Sequence, residues 1–117
     1  MSKSIIVTKS YQFALKIIEL YKFLSYEKKE YVLSKQILKS GTSIGANVEE
    51  AQAAISKRDF ISKISIASKE ARETHYWLRL LKDSNYLLSK YNPLLDECEE
   101  LKRILISIIK TSQENLN

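Results

Sequence analysis

Glycine, proline, cysteine and histidine are all scarce in this chain. Its 117 residues hold two glycines, one proline, one cysteine and one histidine. With so little turn vocabulary, a sheet-rich fold is excluded, because hairpins and sandwiches need glycine, proline and asparagine clusters between short strands. The expectation is all-α. A single cysteine, Cys98, rules out an internal disulfide framework and fits a reducing compartment. One histidine, His75, cannot supply a bundle-type di-metal site, which needs Glu-x-x-His on two helices; the residue three before it is Arg72. No uncharged stretch approaches the ~20 residues that span a bilayer. The segment MSKSIIVTKS has too short an apolar run for a signal peptide. The expectation is therefore a soluble, cytoplasmic protein with no membrane association, no cofactor and no metal.

What the chain does have is helical periodicity. The most informative stretch is Gln36 to Ala54. With about 100° between successive residues, Leu33, Ile37, Gly41, Ile44, Val48, Ala51 and Ile55 fall on one narrow stripe. Both glycines lie in this helix, where each costs roughly 1 kcal/mol relative to alanine. Close approach of another helix offsets that cost, since glycine removes the side chain that would hold a neighbour away. Ala67 and Ala71 of the third helix are the expected neighbours. The alternative is that Ser40-Gly41-Thr42-Ser43 splits the segment into two short helices; against it, the stripe keeps its phase across the glycines.

Four helices follow from the pattern, at about 5–25, 31–55, 57–83 and 93–112, in one domain covering 1–117. The first shows Ile6, Phe13, Ile17, Leu20 and Leu24 on one face, with Tyr11, Ala14, Ile18 and Tyr21 as a second apolar row. Residues 26–30 form a short polar connection, which makes helices one and two antiparallel neighbours. Ser56, followed by Asp59, reads as a capping box. Asn92-Pro93 reads as an N-cap with proline at the first helical position. The last six residues lack an apolar pattern and are expected to fray. On the third helix, Ile66, Tyr76, Trp77 and Leu80 lie opposite the core stripe. A helix apolar on two sides is buried on both or adhesive on one, so these four residues are the candidate self-association face.

The string LSKQILKSGTSIGANVEEAQ, followed by SKRDFISKISIASKEARETHYWLRLLKDSNYL, resembles the small four-helix-bundle proteins known as 23S rRNA intervening-sequence proteins. The likeness runs from about Tyr11 to Leu88, and its most specific part is Ser-Ile-x-x-Asn followed by an Asp-Phe helix start. Where that family usually shows Asn-Ile-Ala-Glu-Gly, this chain has Asn47-Val48-Glu49-Glu50-Ala51. The resemblance implies an antiparallel up-down four-helix bundle, often assembled into a ring of five subunits, with no known catalytic residues. Some members are encoded within inserts in ribosomal RNA genes, and a related protein assists a reverse transcriptase.

Candidate chemistry is sparse. The segment from Gly41 to Gly45 lacks the Gly-Lys-Ser/Thr ending of a phosphate loop and follows no strand. No serine or cysteine can be assigned a histidine partner for nucleophilic catalysis. Ser40, Gly41, Ser43, Ile44, Gly45 and Asn47 form a packing motif in which Ser40, Ser43 and Asn47, with Gln36, make an interhelical hydrogen-bond strip; a binding site is the other reading. His75 reads as a satisfied histidine near the core, or else as a metal or proton-transfer group.

The charge is the remaining signal. The net charge is +5, and all of the excess lies in residues 1–41. Lys3, Lys9, Lys16, Lys22, Lys35 and Lys39 are the candidate nucleic-acid contacts, set on the paired first and second helices and multiplied if the bundle forms a ring. The expected function is a non-enzymatic, self-assembling scaffold associated with RNA or DNA backbone. The competing expectation is a structural module that binds another protein through its apolar face, its lysines serving only solubility.

Overall fold

The computed structural model describes residues 2–116, and side chains from 5 to 116. Four helices carry the fold: α1 (Ser2–Lys22), α2 (Leu33–Gln52), α3 (Lys57–Asp83) and α4 (Pro93–Glu114). Each packs against the next, and α4 closes back onto α1, giving an antiparallel up-down bundle of 50 × 21 × 20 Å. A 27-residue helix such as α3 is about 40 Å long, so α3 alone sets most of that length.

The stripes read from the sequence form the core. Ile6, Phe13, Ile17, Leu20 and Leu24 from the first segment meet Ile37, Ile44, Val48 and Ala51 of α2. Ile64, Ala67, Ala71 and Leu78 of α3 and Leu94, Cys98, Leu101 and Leu105 of α4 complete the cluster. Leu33 and Phe60 are half-buried at its edges, and Tyr86 and Leu87 cover one end of the bundle. Of the second row on α1, Ala14, Ile18 and Tyr21 are half-buried and Tyr11 is exposed.

The helix α2 is continuous through Ser40-Gly41-Thr42-Ser43. Its glycines face a different partner from the one expected. A Cβ at Gly41 would lie 2.9 Å from both Cγ atoms of Ile17, and one at Gly45 would lie 3.3 Å from the carbonyl oxygen of Ser10. The close approach is thus to α1. Ala71 instead faces α4, where its carbonyl accepts from Cys98 Sγ at 3.3 Å. The stripe fixes which arc of α2 is apolar; it does not say on which side of that arc each neighbour sits.

Helix ends also differ from the sequence reading. The first helix runs on into a π turn, Phe23–Glu27, closed by Lys28 N–H donating to Phe23 O at 3.2 Å. Residues 26 and 27 are therefore helical. The second helix starts at Leu33 because Glu30 caps it: its carboxylate accepts from the backbone N–H of Val32, Leu33 and Ser34 at 3.1, 3.0 and 2.7 Å. These are orphan donors of the first turn. At the other end α2 stops at Gln52, closed by short-range bonds from Ala53 N to Glu50 O and Ala54 N to Ala51 O. The backbone then leaves the helical phase, and Ile55, assigned to the core stripe, is 94% exposed.

Ser56 caps α3 as expected, accepting from Asp59 N–H at 3.0 Å. The carboxylate of Asp59 reaches back to Ile55 N–H at 3.2 Å. Asn92 differs: a 3-10 turn, Ser89–Tyr91, feeds directly into α4, so Asn92 already has helical dihedrals and makes no side-chain cap. Pro93 does occupy the first turn. The last helix continues to Glu114, so Ser112, Gln113 and Glu114 are helical where fraying was expected.

Candidate nucleic-acid interface

The candidate lysines separate into two groups. Lys9 and Lys16 are seven apart, two helical turns, and so project from one side of α1. That side faces α4. Lys9 Nζ lies 3.2 Å from Glu100 Oε1, and Lys16 pairs with Glu97. The expected placement of these two on a shared α1–α2 surface is corrected: they pair with carboxylates across the α1–α4 seam, at its exposed edge. Glu97 and Glu100 sit three apart on α4, and the antiparallel run of the two helices brings each acid to one lysine. Lys22, Lys35 and Lys39 are exposed and take no part in the ion pairs among the described residues. Lys3 carries a side chain outside the described residues.

Within the packing motif, Ile44 and Gly45 are buried and Ser40 makes the one crossing contact of its polar strip. Thr74 Oγ1 shares its proton between Ser40 Oγ, at 2.9 Å, and the Glu70 carbonyl of its own helix, at 2.7 Å. Ser43 and Asn47 instead turn to carbonyls within α2, donating to Lys39 O at 2.6 Å and Ser43 O at 2.9 Å. Gln36 is exposed. The expected strip between helices is reduced to one buried hydroxyl pair, because a polar side chain on a helix flank finds the carbonyl four residues back more readily than a partner across the seam.

On α3, Ile66 and Tyr76 are 40% and 47% exposed, while Trp77 packs partly against the core. Trp77 Nε1 donates to Glu73 Oε2 at 3.3 Å, and its ring meets Tyr76 edge to face at 5.2 Å. Leu80 is half-buried. The four residues do share one side of α3, so an apolar band interrupted by Glu73 runs along the bundle.

His75 turns toward α4, where its Nε2 is 3.4 Å from Glu99 Oε1. The same carboxylate takes Lys102 at 2.7 Å and lies 3.9 Å from Arg103. Burial holds the imidazole below its ordinary value, with Lys102 adding to the effect and Glu99 opposing it. The Lys102 hydrogen bond in turn lowers Glu99. Burial pushes the Cys98 thiol up to about 12, so it stays protonated, as a small core side chain does and a nucleophile does not.

Elsewhere, a groove of about 490 Å³ opens where the end of α2 and the start of α3 meet α4, with Ala51, Ala54, Phe60 and Ile108 in its lining and Ser56, Ser107 and Thr111 hydroxyls beside them. Its lining includes none of the candidate contact, packing-motif or self-association residues read from the sequence. No group of three or more metal-ligating side chains occurs among the described residues, and no described helix is long and apolar enough to cross a membrane.

Comparison with known proteins places the chain. Residues 2–107 match the family described as 23S rRNA-intervening sequence protein, and the chain belongs to that family. Among solved structures, it is similar to a protein of unknown function from the S23 ribosomal protein family of Bacteroides thetaiotaomicron. The two are 51% identical, with a TM-score of 0.91, over 94% of this chain and 99% of that one. No curated protein matches.

Proposed function

We propose that this member of the 23S rRNA-intervening sequence protein family is a non-enzymatic scaffold that assembles with copies of itself and associates with nucleic acid, RNA foremost, through lysines. The observation that carries the reading is the group Lys22, Lys35 and Lys39: exposed, outside the ion pairs of the described residues, and set in a chain of net charge +5. Ammonium groups not held by carboxylates are free to replace the counterions of phosphates, which is the main source of sequence-tolerant affinity for nucleic acid. The names of the family and of the Bacteroides relative both refer to ribosomal components, in keeping with an RNA setting. A cytoplasmic location belongs to the same proposal.

Self-assembly rests on the band of Ile66, Tyr76, Trp77 and Leu80. Partly exposed apolar side chains along one helix are a surface that a second copy can cover. A ring of five subunits is the assembly the family resemblance implies, and a ring would repeat the lysines around its rim. The same band supports the second reading, a structural module that binds another protein and leaves nucleic acid alone.

Fluorescence anisotropy with nuclease-treated protein and structured RNA, at about 50 and about 200 mM salt, separates the two. Micromolar or tighter binding that weakens steeply with salt supports the scaffold reading. An oligomer that binds no RNA at the lower salt supports the protein-binding one.

A further inference from the structure

One pole of the bundle, where α1 passes to α2 and α3 to α4, carries an arrangement of rings and ammonium groups that the sequence reading left unassigned. Phe23, in the π turn after α1, and Tyr91, in the turn before α4, meet with ring centroids 5.5 Å apart at 41°. Each ring has its own cation. Lys28 Nζ lies 5.8 Å from the Phe23 centroid, and Lys90 Nζ lies 5.1 Å from that of Tyr91. Two separate connections thus build one floor of two rings and two ammonium groups.

Around this floor the pole is aromatic and basic. Tyr26 and Tyr31, both on the α1–α2 connection, are 65% and 53% exposed. Residues 22–35 and 82–93 together hold six lysines against three carboxylates. One of the three, Glu30, has its carboxylate occupied in capping α2. Lys29 has a φ of 56°, the left-handed region that suits glycine; a cation stands at a strained position, a pattern that gathers at functional sites.

We infer that this pole binds single-stranded nucleic acid, with unpaired bases stacking on Tyr26 and Tyr31 and the lysines taking the phosphates. The inference rests on the nucleic-acid reading above and narrows it. Lysines alone would serve duplex and single strand alike. Exposed rings distinguish them, because a duplex keeps the π faces of its bases stacked inward, whereas a single strand offers them to an aromatic side chain. Stacking on a protein ring is tolerant of sequence, and exposed rings among lysines are the elements that such binding uses. Beside Tyr91 and Lys90 the surface opens into a space of about 390 Å³, in whose lining Lys16 and Lys90 are matched by Glu19 and Glu97, so the basic excess lies on the connections themselves.

The test uses the full chain and three labelled probes: oligouridine, oligothymidine and an RNA hairpin duplex of equal phosphate count, titrated by anisotropy at about 50 mM salt. Both single strands are expected to bind more tightly than the duplex. Combined Tyr26→Ala and Tyr31→Ala should weaken single-strand binding about tenfold or more and leave duplex binding unchanged, while Phe at both positions retains it. Because both side chains are exposed, circular dichroism is expected to show an intact bundle. Duplex binding as tight as single-strand binding, or an unaltered Tyr26→Ala/Tyr31→Ala variant, overturns the pole assignment and leaves the broader lysine surface standing. Absence of binding to all three probes overturns both.

Discussion

Gly41 of α2 and Ile17 of α1 lie so close that a single added carbon at Gly41 would sit 2.9 Å from two of the isoleucine's carbons. Ile17 is fully buried and β-branched, so it has no flexible end to withdraw. Gly41→Ala should gain about 1 kcal/mol of helix propensity and lose more than that, about 2–3 kcal/mol, to overpacking against a side chain that cannot yield. The expected net is a destabilisation measurable as a lower urea midpoint, with Gly41→Leu failing to fold. At Gly45 the Cβ would lie 3.3 Å from Ser10 O, a milder contact, so Gly45→Ala should cost less than Gly41→Ala. The reverse order, or an unchanged Gly41→Ala midpoint, would remove close packing as the reason for the glycine.

Among the described residues, the hydroxyl pair Ser40–Thr74 is the one polar tie within the α2–α3 seam to which both helices contribute buried side chains. Ser40→Ala removes it while Thr74 keeps the Glu70 carbonyl, so the loss should be about 1 kcal/mol, the net value of one neutral hydrogen bond. Thr74→Val should cost at least as much, because it leaves Ser40 without its partner across the seam. Chemical denaturation of both variants and the double mutant measures the coupling.

Much of this bundle was legible in the chain. Apolar residues at helical spacing gave four segments, Ser56 with Asp59 marked the start of α3, and Pro93 marked the start of α4. Periodicity fixes the phase of each helix, and phase decides burial. It does not fix which neighbour lies on which flank, so Gly41 was assigned to α3 when it meets α1. Lys9 and Lys16 were set on an open surface for the same reason: their pairing with Glu100 and Glu97 depends on the register of α1 against α4, 91 and 81 residues apart in sequence. Helix ends were missed where uncommon caps act. Glu30 is not a residue type favoured at an N-cap, and a π turn such as Phe23–Glu27 has no simple sequence mark. The aromatic-basic pole arises from two connections, and only folding brings Phe23 to Tyr91.

Acid should weaken the α3–α4 seam. His75 titrates below its ordinary value near 6.5, so the unfolded chain takes up a proton before the folded one. Stability is then complete above about pH 6.5 and declines as pH falls through the lowered folded value. Glu99 is also lowered from 4.5, and its contribution is lost further into acid, with the same sign. Thermal unfolding between about pH 7 and pH 5 should show a falling midpoint, and His75→Gln should flatten the upper part of that slope. A wild-type midpoint that rises toward pH 5 would contradict the assignment.

The apolar band on α3 makes an assembly prediction. Trp77→Ala confounds two effects, since the ring packs partly on the core and its loss can cost about 3–5 kcal/mol. Ile66→Asp is cleaner, because Ile66 is 40% exposed. Light scattering should find an oligomer for the native chain and a smaller, still helical species for Ile66→Asp. A native monomer at micromolar concentration, or an unchanged mass for the variant, would sink the self-association face.

The most direct test of the central claim contrasts the two groups of lysines in RNA binding. Lys22, Lys35 and Lys39, changed together to Ala, should weaken binding of structured RNA and lower the slope of log affinity against log salt by about one unit per lost phosphate contact. Lys9→Ala with Lys16→Ala should instead act on stability, by about 0–1 kcal/mol for each surface pair, and leave the salt slope near that of the native chain. Equal slopes for the native chain and the Lys22, Lys35 and Lys39 variant, or no RNA binding at about 50 mM salt, would contradict the account and return these lysines to the role of solvated surface.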